Sequence, residues 1–299
     1  MVSGMTARHE LQLPDGRTLE VYENGAPDGV PAIYHYGTPG CGTPYRPAGR
    51  LAAERGIRLV TYSRAGYAGS TRHLGRSVAS IAADVAAMLD ALGAERAYTL
   101  GASGGGPHAL ATAALLPDRI IAAATIGSVA PYDAEGLDYL GGMGEENVDE
   151  FTAAADGPEA LERFLDGPGA WVRSVTADDL VAAFGDLVAE PDRATLTGDY
   201  AEWLAANFRG SVASGIWGWF DDDMAFVRDW GFEMGEIGRP VTVWQGAQDR
   251  MVPFAHGQWL AKHVPGATAR LLPEHGHLSL SVAAFGEILD DLVRTRPRD

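Results

Sequence analysis

The sequence predicts an α/β fold: a mostly parallel β-sheet flanked by helices, with a helical segment inserted late in the chain. Three observations carry this. Strand-like and helix-like segments alternate from residue 31 to residue 130, the pattern that βαβ crossovers leave in a sequence. The alternation stops at Ala130 and resumes at Pro240. Between those points there are helical stretches and no clear strand. The reading divides the chain into a core, residues 1–131 and 239–299, and a helical cap, residues 132–238.

Residues 8–13 and 17–23 read as two strands joined by the turn tripeptide Pro14-Asp15-Gly16, which adds antiparallel strands at one sheet edge. Pro31–Tyr36 is a short apolar run rich in aromatic and β-branched residues, hence a strand. A Gly/Pro-rich loop, residues 37–47, leads to a helix ending near Arg55. Ile57–Tyr62 is the next strand. Ser77 is placed to cap a helix whose apolar positions are Val78, Ile81, Val85, Met88, Leu89 and Leu92, stopped by Gly93. Ala97–Leu100 reads as a strand, Gly104–Leu116 as a helix and Ile120–Ile126 as a strand. In the insertion, Pro158–Leu165, Ala177–Val188 and Thr195–Phe208 read as helical. After it come strands at Pro240–Trp244 and Thr268–Leu272, a helix at Phe254–His263 between them, and a closing amphipathic helix over Ser279–Arg294. No internal repeat or low-complexity tract is present.

At 299 residues the chain can bury about three quarters of its unfolded surface, and 46% hydrophobic with 21% charged residues is an ordinary globular composition. The most apolar stretch, Ala109–Gly127, is interrupted by Pro117, Asp118 and Arg119, so no transmembrane helix is expected. Residues 1–10 lack the apolar region of a signal peptide. The one cysteine, Cys41, excludes an internal disulfide and a thiolate-built zinc site. A cytoplasmic location follows as the expectation. The net charge of −17 argues against binding to a nucleic-acid backbone, which needs a basic surface. That charge is concentrated: residues 132–238 hold 24 acids against 5 arginines, together with five of the seven tryptophans. The chain is a near-neutral frame with an acidic, aromatic insert. Solubility is one reading of the acids; long-range steering of cationic substrates is another.

The chemistry-bearing segment is Gly101-Ala102-Ser103-Gly104-Gly105. Chance would place only about 0.2 Gly-x-Ser-x-Gly patterns in a chain with 38 glycines and 12 serines. Context adds to this, because the pattern follows a predicted strand and opens a predicted helix. A sharp strand-to-helix turn of that kind lifts the serine hydroxyl above the sheet, beside a helix N-terminus. The alternative is a serine capping a glycine turn. A serine needs a base to become a nucleophile. His277 lies just past the last predicted strand, at the same carboxyl edge of the sheet as Ser103, with His275 as its rival. The base needs an orienting carboxylate. Asp249 follows the preceding strand and supplies one; an acid near Asp133 is the alternative. The loop His35-Tyr36-Gly37-Thr38-Pro39-Gly40 completes the set. The backbone N–H groups of Thr38 and Gly104 are the candidate oxyanion donors.

These segments together resemble the α/β-hydrolase superfamily, in its serine hydrolase branch with a helical cap. HYGTPG is similar to that superfamily's His-Gly-x-Pro-Gly loop, with Tyr36 at the usual histidine position. Ser63-Arg-Ala-Gly-Tyr-Ala-Gly-Ser70 is similar to its Asp-x-Arg-Gly-x-Gly-x-Ser segment, with Ser63 and Ala65 departing. The likeness spans nearly all the chain outside residues 132–238. It implies acyl transfer on an α/β-hydrolase fold: Ser103 attacks a carbonyl, His277 takes its proton, Asp249 orients the ring, and water cleaves the acyl-enzyme. No metal or organic cofactor is required. Dehalogenases and epoxide hydrolases of this fold need an aspartate nucleophile, and Ser103 argues against both.

The expected substrate is a small ester, lactone or related acyl compound, the expected partner being that small molecule rather than nucleic acid or membrane. A proline iminopeptidase-like aminopeptidase or amidase is the alternative, suggested by the acidic cap. A non-catalytic ligand-binding protein on the same fold, a carbon–carbon bond hydrolase and a cofactor-free lyase are the others. Tyr36, Trp217, Trp219 and Phe220 are candidates for the pocket wall. His108 reads as a packing residue. Glycines 104–106 lack the following Gly-Lys-Ser/Thr of a phosphate loop. Asp221-Asp222-Asp223 lacks calcium-loop spacing and reads as a solvated turn.

Overall fold

The computed structural model describes residues 6–184 and 188–294. Part of the N-terminal reading, part of the second cap helix and the last five residues lie outside that range. Eight strands form one sheet: β1 (Ala7–Gln12), β2 (Thr18–Gly25), β3 (Val30–His35), β4 (Ile57–Tyr62), β5 (Ala97–Ala102), β6 (Ile120–Ile126), β7 (Val241–Gly246) and β8 (Thr268–Leu272). Their spatial order is β1-β2-β4-β3-β5-β6-β7-β8. β1 and β2 pair antiparallel in the register Leu11 with Leu19, and β2 pairs antiparallel with β4; every other pair is parallel.

The parallel strands β3 to β7 are buried on both faces, which is why they read as continuous apolar runs rather than as alternation, while the edge strand β8 is largely exposed. The period-2 geometry sends neighbours to opposite cores. Ile33, Val60, Ala123 and Val243 point to one side, where α2 (Ile81–Ala91), α3 (Gly106–Leu115) and α10 (Phe254–His263) pack. Ala32, Tyr34, Leu59, Ala124 and Trp244 point to the other, against α1 (Arg46–Glu54) and α12 (Phe285–Arg294). The closing helix expected over 279–294 is two helices, α11 (His277–Ala283) and α12, the first starting two residues earlier with Gly276 at its N-cap. Ser77 enters a short 3₁₀ turn before α2, in a reciprocal capping arrangement with Ser80.

Between β6 and β7 the described residues hold six α-helices: α4 (Glu145–Asp156), α5 (Pro158–Val172), α6 (Ala177–Ala183), α7 (Glu190–Thr195), α8 (Gly198–Ser211) and α9 (Trp217–Phe226). No strand occurs there among the described residues. The helix expected over Thr195–Phe208 begins at Gly198, and α4, α7 and α9 were not read from the sequence. No helix among the described residues is long and apolar enough to cross a membrane.

Candidate active site

Four loops meet at the carboxyl edge of the parallel strands. Ser103 sits at the end of β5, where the chain turns through a 3₁₀ turn into α3. Its φ is +53°, a conformation that non-glycine residues adopt only under constraint. The constraint is tight packing of the turn on itself and on β3. A Cβ at Gly101 would lie 2.1 Å from the Gly105 carbonyl oxygen, and one at Gly105 would lie 2.0 Å from that of His35. This is the physical reason for the glycine spacing around Ser103.

His277 opens α11 and is 7% exposed. Its Nδ1–H donates to Asp249 Oδ2 at 2.7 Å. Asp249, 5% exposed, is itself fixed: Oδ1 accepts the N–H groups of Met251 and Val252 at 2.9 and 2.8 Å, and Oδ2 accepts Gln245 Nε2–H at 3.1 Å. The structure therefore brings His277, not His275, to Asp249, and Asp249, not an acid near Asp133, to the ring. Burial opposes charging of the imidazole, but the Asp249 carboxylate, with help from Asp192, outweighs it and holds the His277 pKa above its ordinary value of 6.5.

Ser103 and His277 line one cavity of about 550 Å³, within the size range of small-molecule sites. No hydrogen bond joins the two side chains; in sites without substrate such contacts are commonly long. Gly37, Thr38, Pro39 and Gly40 form another part of the wall. Thr38 abuts the turn after Ser103: a Cβ at Gly104 would lie 2.4 Å from Thr38 Oγ1. The two expected oxyanion donors are thus neighbours, beside the serine.

Of the four predicted pocket residues, Tyr36 and Trp219 line the cavity. Trp217 and Phe220 do not. Both rings face the Arg72 guanidinium, at 4.2 and 5.6 Å, because α9 turns that side toward the loop after β4. The rest of the wall is largely aromatic, with Phe164, Trp171, Trp203 and Phe208 from the insertion. It also carries Glu146, Asp149 and Glu150 of α4. Glu150 Oε1 accepts Trp219 Nε1–H at 2.6 Å, and burial pushes its carboxyl up.

The reading of Asp221-Asp222-Asp223 as a solvated turn is overturned. All three lie in α9 and are at most 5% exposed. Successive helical residues point about 100° apart, so three acids in a row reach three different partners. Asp221 takes a bidentate pair from Arg72, both contacts 2.8 Å. Asp223 lies beside Glu150, and burial followed by that neighbour holds its carboxyl well above the usual range. Asp222 is the centre of a buried network. Arg64 Nη2 reaches its Oδ2 at 2.5 Å, Arg76 Nη1 its Oδ1 at 2.6 Å, and the hydroxyls of Tyr67 and Thr38 donate to Oδ2 at 2.8 Å. Arg64 also donates to the carbonyls of Tyr36 and Gly37. The loop after β3 is therefore tied through Arg64 to an acid of the insertion.

His108 packs beside this network, its Nε2 3.4 Å from Asp222 Oδ1; burial, against the pull of Asp222, lowers its pKa to about 4. His35 is buried between the Tyr62 hydroxyl and Thr99 Oγ1, at 2.6 and 2.9 Å, and burial also keeps it neutral. Neither lines the cavity. Cys41 is buried with its thiol donating to the Asn207 carbonyl at 3.3 Å.

The profile of the alpha/beta hydrolase fold family matches residues 31–284. The chain belongs to the α/β-hydrolase family. Among curated relatives, this hydrolase-fold chain is 25% identical to a non-heme chloroperoxidase of Streptomyces lividans, over 81% of its own length and 82% of the relative's. Among solved structures, the fold superposes with a TM-score of 0.73 on a bromoperoxidase from Bacillus anthracis, at 20% identity, covering 96% of this chain and 100% of that one. An esterase, RhEst1 from Rhodococcus sp. ECU1013, superposes with a TM-score of 0.70 at 20% identity, covering 96% and 99%. At these identities the solved structures speak for the α/β-hydrolase fold alone.

Proposed function

We propose that this α/β-hydrolase is a serine hydrolase of the carboxylic ester type, acting on a small ester, lactone or related acyl compound. The observation that carries the reading is the His277–Asp249 hydrogen bond of 2.7 Å on a histidine that shares its cavity with a serine at positive φ. Ser103 Oγ forms the bond to the substrate carbonyl carbon while His277 takes the hydroxyl proton on Nε2. The negative charge moves to the carbonyl oxygen, where the N–H groups of Thr38 and Gly104 receive it. Collapse expels the alcohol, which takes the proton back from His277. Water then attacks the acyl-serine with His277 again as base, releasing the acid and free Ser103. Asp249 accepts the Nδ1–H throughout and stabilises the imidazolium. The aromatic wall suits an apolar acyl or alcohol group, and the small-molecule substrate needs no nucleic-acid or membrane surface. A cytoplasmic setting fits a chain whose one cysteine is a buried thiol.

The test is turnover of a panel of short-chain p-nitrophenyl esters and lactones by wild type and Ser103→Ala. The reading predicts hydrolysis that drops by about a thousandfold or more in the variant, with the far-ultraviolet circular dichroism unchanged. Equal rates in the two proteins would sink it.

A second reading, an aminopeptidase or amidase, is favoured by Glu146, Asp149 and Glu150 on the cavity wall, where a substrate ammonium would find a carboxylate. It predicts release of arylamine from proline or other amino-acid arylamides, and silence on that panel beside active ester hydrolysis removes it.

A further inference from the structure

Asp192 comes from α7 in the insertion, far in sequence from the core loops, and is fully buried. No salt bridge partner reaches it among the described residues. Its carboxylate instead accepts two backbone N–H groups of the turn that carries His277. Oδ2 accepts the His277 N–H and Oδ1 the Ser279 N–H, both at 2.8 Å. The approach is so close that a Cβ at Gly276 would lie 2.3 Å from Asp192 Oδ2, so position 276 has room for glycine alone. Gly276 N–H is separately held by Ser279 Oγ at 2.9 Å. An acid inside a protein is costly unless it is bonded, and here both carboxylate oxygens bond to the backbone of one turn.

Resting on the serine hydrolase reading, we infer that Asp192 is a positioning residue for His277: it fixes the backbone from which the imidazole projects and adds a second negative charge beside it. Asp249 holds the ring by Nδ1 from the core side, and Asp192 holds its main chain from the insertion side. Other charges on the elements packed against α11 are turned elsewhere. On α7, Glu190 pairs with Arg193; on α12, Glu287 is exposed, Asp290 binds Arg55, Asp291 binds Arg270, and Arg294 reaches both aspartates; β7 carries none. Asp249 and Asp192 are the carboxylates that bear on the imidazole, and both raise its proton affinity. The insertion is then part of the catalytic assembly rather than a cover over it.

The test compares wild type, Asp192→Asn and Gly276→Ala, whose methyl group displaces the carboxylate, by kcat and KM on an ester substrate from pH 5 to 9. Folding is followed by circular dichroism and labelling of Ser103 by a fluorophosphonate. Asp192→Asn is expected to keep its fold, to lose about tenfold or more in kcat with little change in KM, and to shift the acid limb of kcat/KM to lower pH. Gly276→Ala is expected to lose kcat likewise. A purely structural role would lower stability and leave that limb in place. Wild-type kcat and an unmoved limb in a folded Asp192→Asn would overturn the inference, as would unfolding of both variants. Wild type that neither turns over nor takes the label would overturn the hydrolase reading itself, and the inference with it.

Discussion

Buried ionisable groups of this chain are pushed by their surroundings in different ways. His277 is held above 6.5 by Asp249 and Asp192 despite its burial, and the proposed base must be neutral to accept the Ser103 proton. The acid limb of kcat/KM is therefore expected to lie above pH 6.5; a limb below pH 6 would contradict the assignment. Asp223 illustrates the opposite effect of burial on an acid. Its folded pKa is raised above the unfolded value near 3.8, so its contribution to stability is fully present below pH 3.8 and is lost as pH rises through the folded value. Asp223→Asn cannot ionise. Relative to wild type it should gain on the order of 1 kcal/mol or more between pH 4 and pH 8, read from thermal unfolding at both. A difference between the proteins that stays the same at both pH values would refute the cause assigned to that shift. At this scale the sequence was legible where a residue type and its place on the sheet edge had one chemical meaning. Ser103, Asp249 and His277 were readable from strand ends and loop order. Asp192 and Asp222 were not, because their partners lie 85 and 158 residues away.

Helices of the insertion reach the core loops through polar contacts, not only through apolar packing. On α8, Asn207 accepts the Cys41 N–H at 3.1 Å and donates to the Cys41 carbonyl at 2.7 Å, and Trp203 Nε1–H donates to Thr43 O at 3.0 Å. On α9, Asp222 binds Arg64, Arg76, Tyr67 and Thr38 together. Removing one partner of a buried ion pair leaves the others as uncompensated charges. Asp222→Ala should cost on the order of 3–5 kcal/mol, measured by denaturant unfolding, because both Arg64 and Arg76 lose their carboxylate. A loss under about 1 kcal/mol would show that the network is solvated rather than buried. The failure to read α9 from the sequence has a physical source. Its apolar residues surround the helix, Trp219 and Met224 packing into one cluster and Ala225 and Phe226 into another, so no single stripe marks it. Three acids in a row then resembled a turn. The signal available was the run of apolar residues on both sides of them, which argues for a helix buried all round.

Across the molecule, β3 to β7 were legible because parallel strands buried on both faces leave continuous apolar runs between glycine and proline punctuation. The order of strands was not written in any local pattern; it follows from crossovers between elements, and it is what brings the loops after β3, β5, β7 and β8 to one edge. The acidic excess of residues 132–238 is partly explained by the fold: Asp192, Asp221, Asp222 and Asp223 are buried and turned toward backbone amides, arginines or a neighbouring carboxyl, while Glu146, Asp149 and Glu150 border the cavity. The proposed serine hydrolase activity requires that this architecture activates one serine. The most direct measurement is the intact mass of wild type and of Ser103→Ala after exposure to a fluorophosphonate. One adduct on wild type, on the tryptic peptide containing Ser103, and none on the variant is the predicted result. A folded wild type that takes no adduct, or a variant that takes as much as wild type, would contradict it.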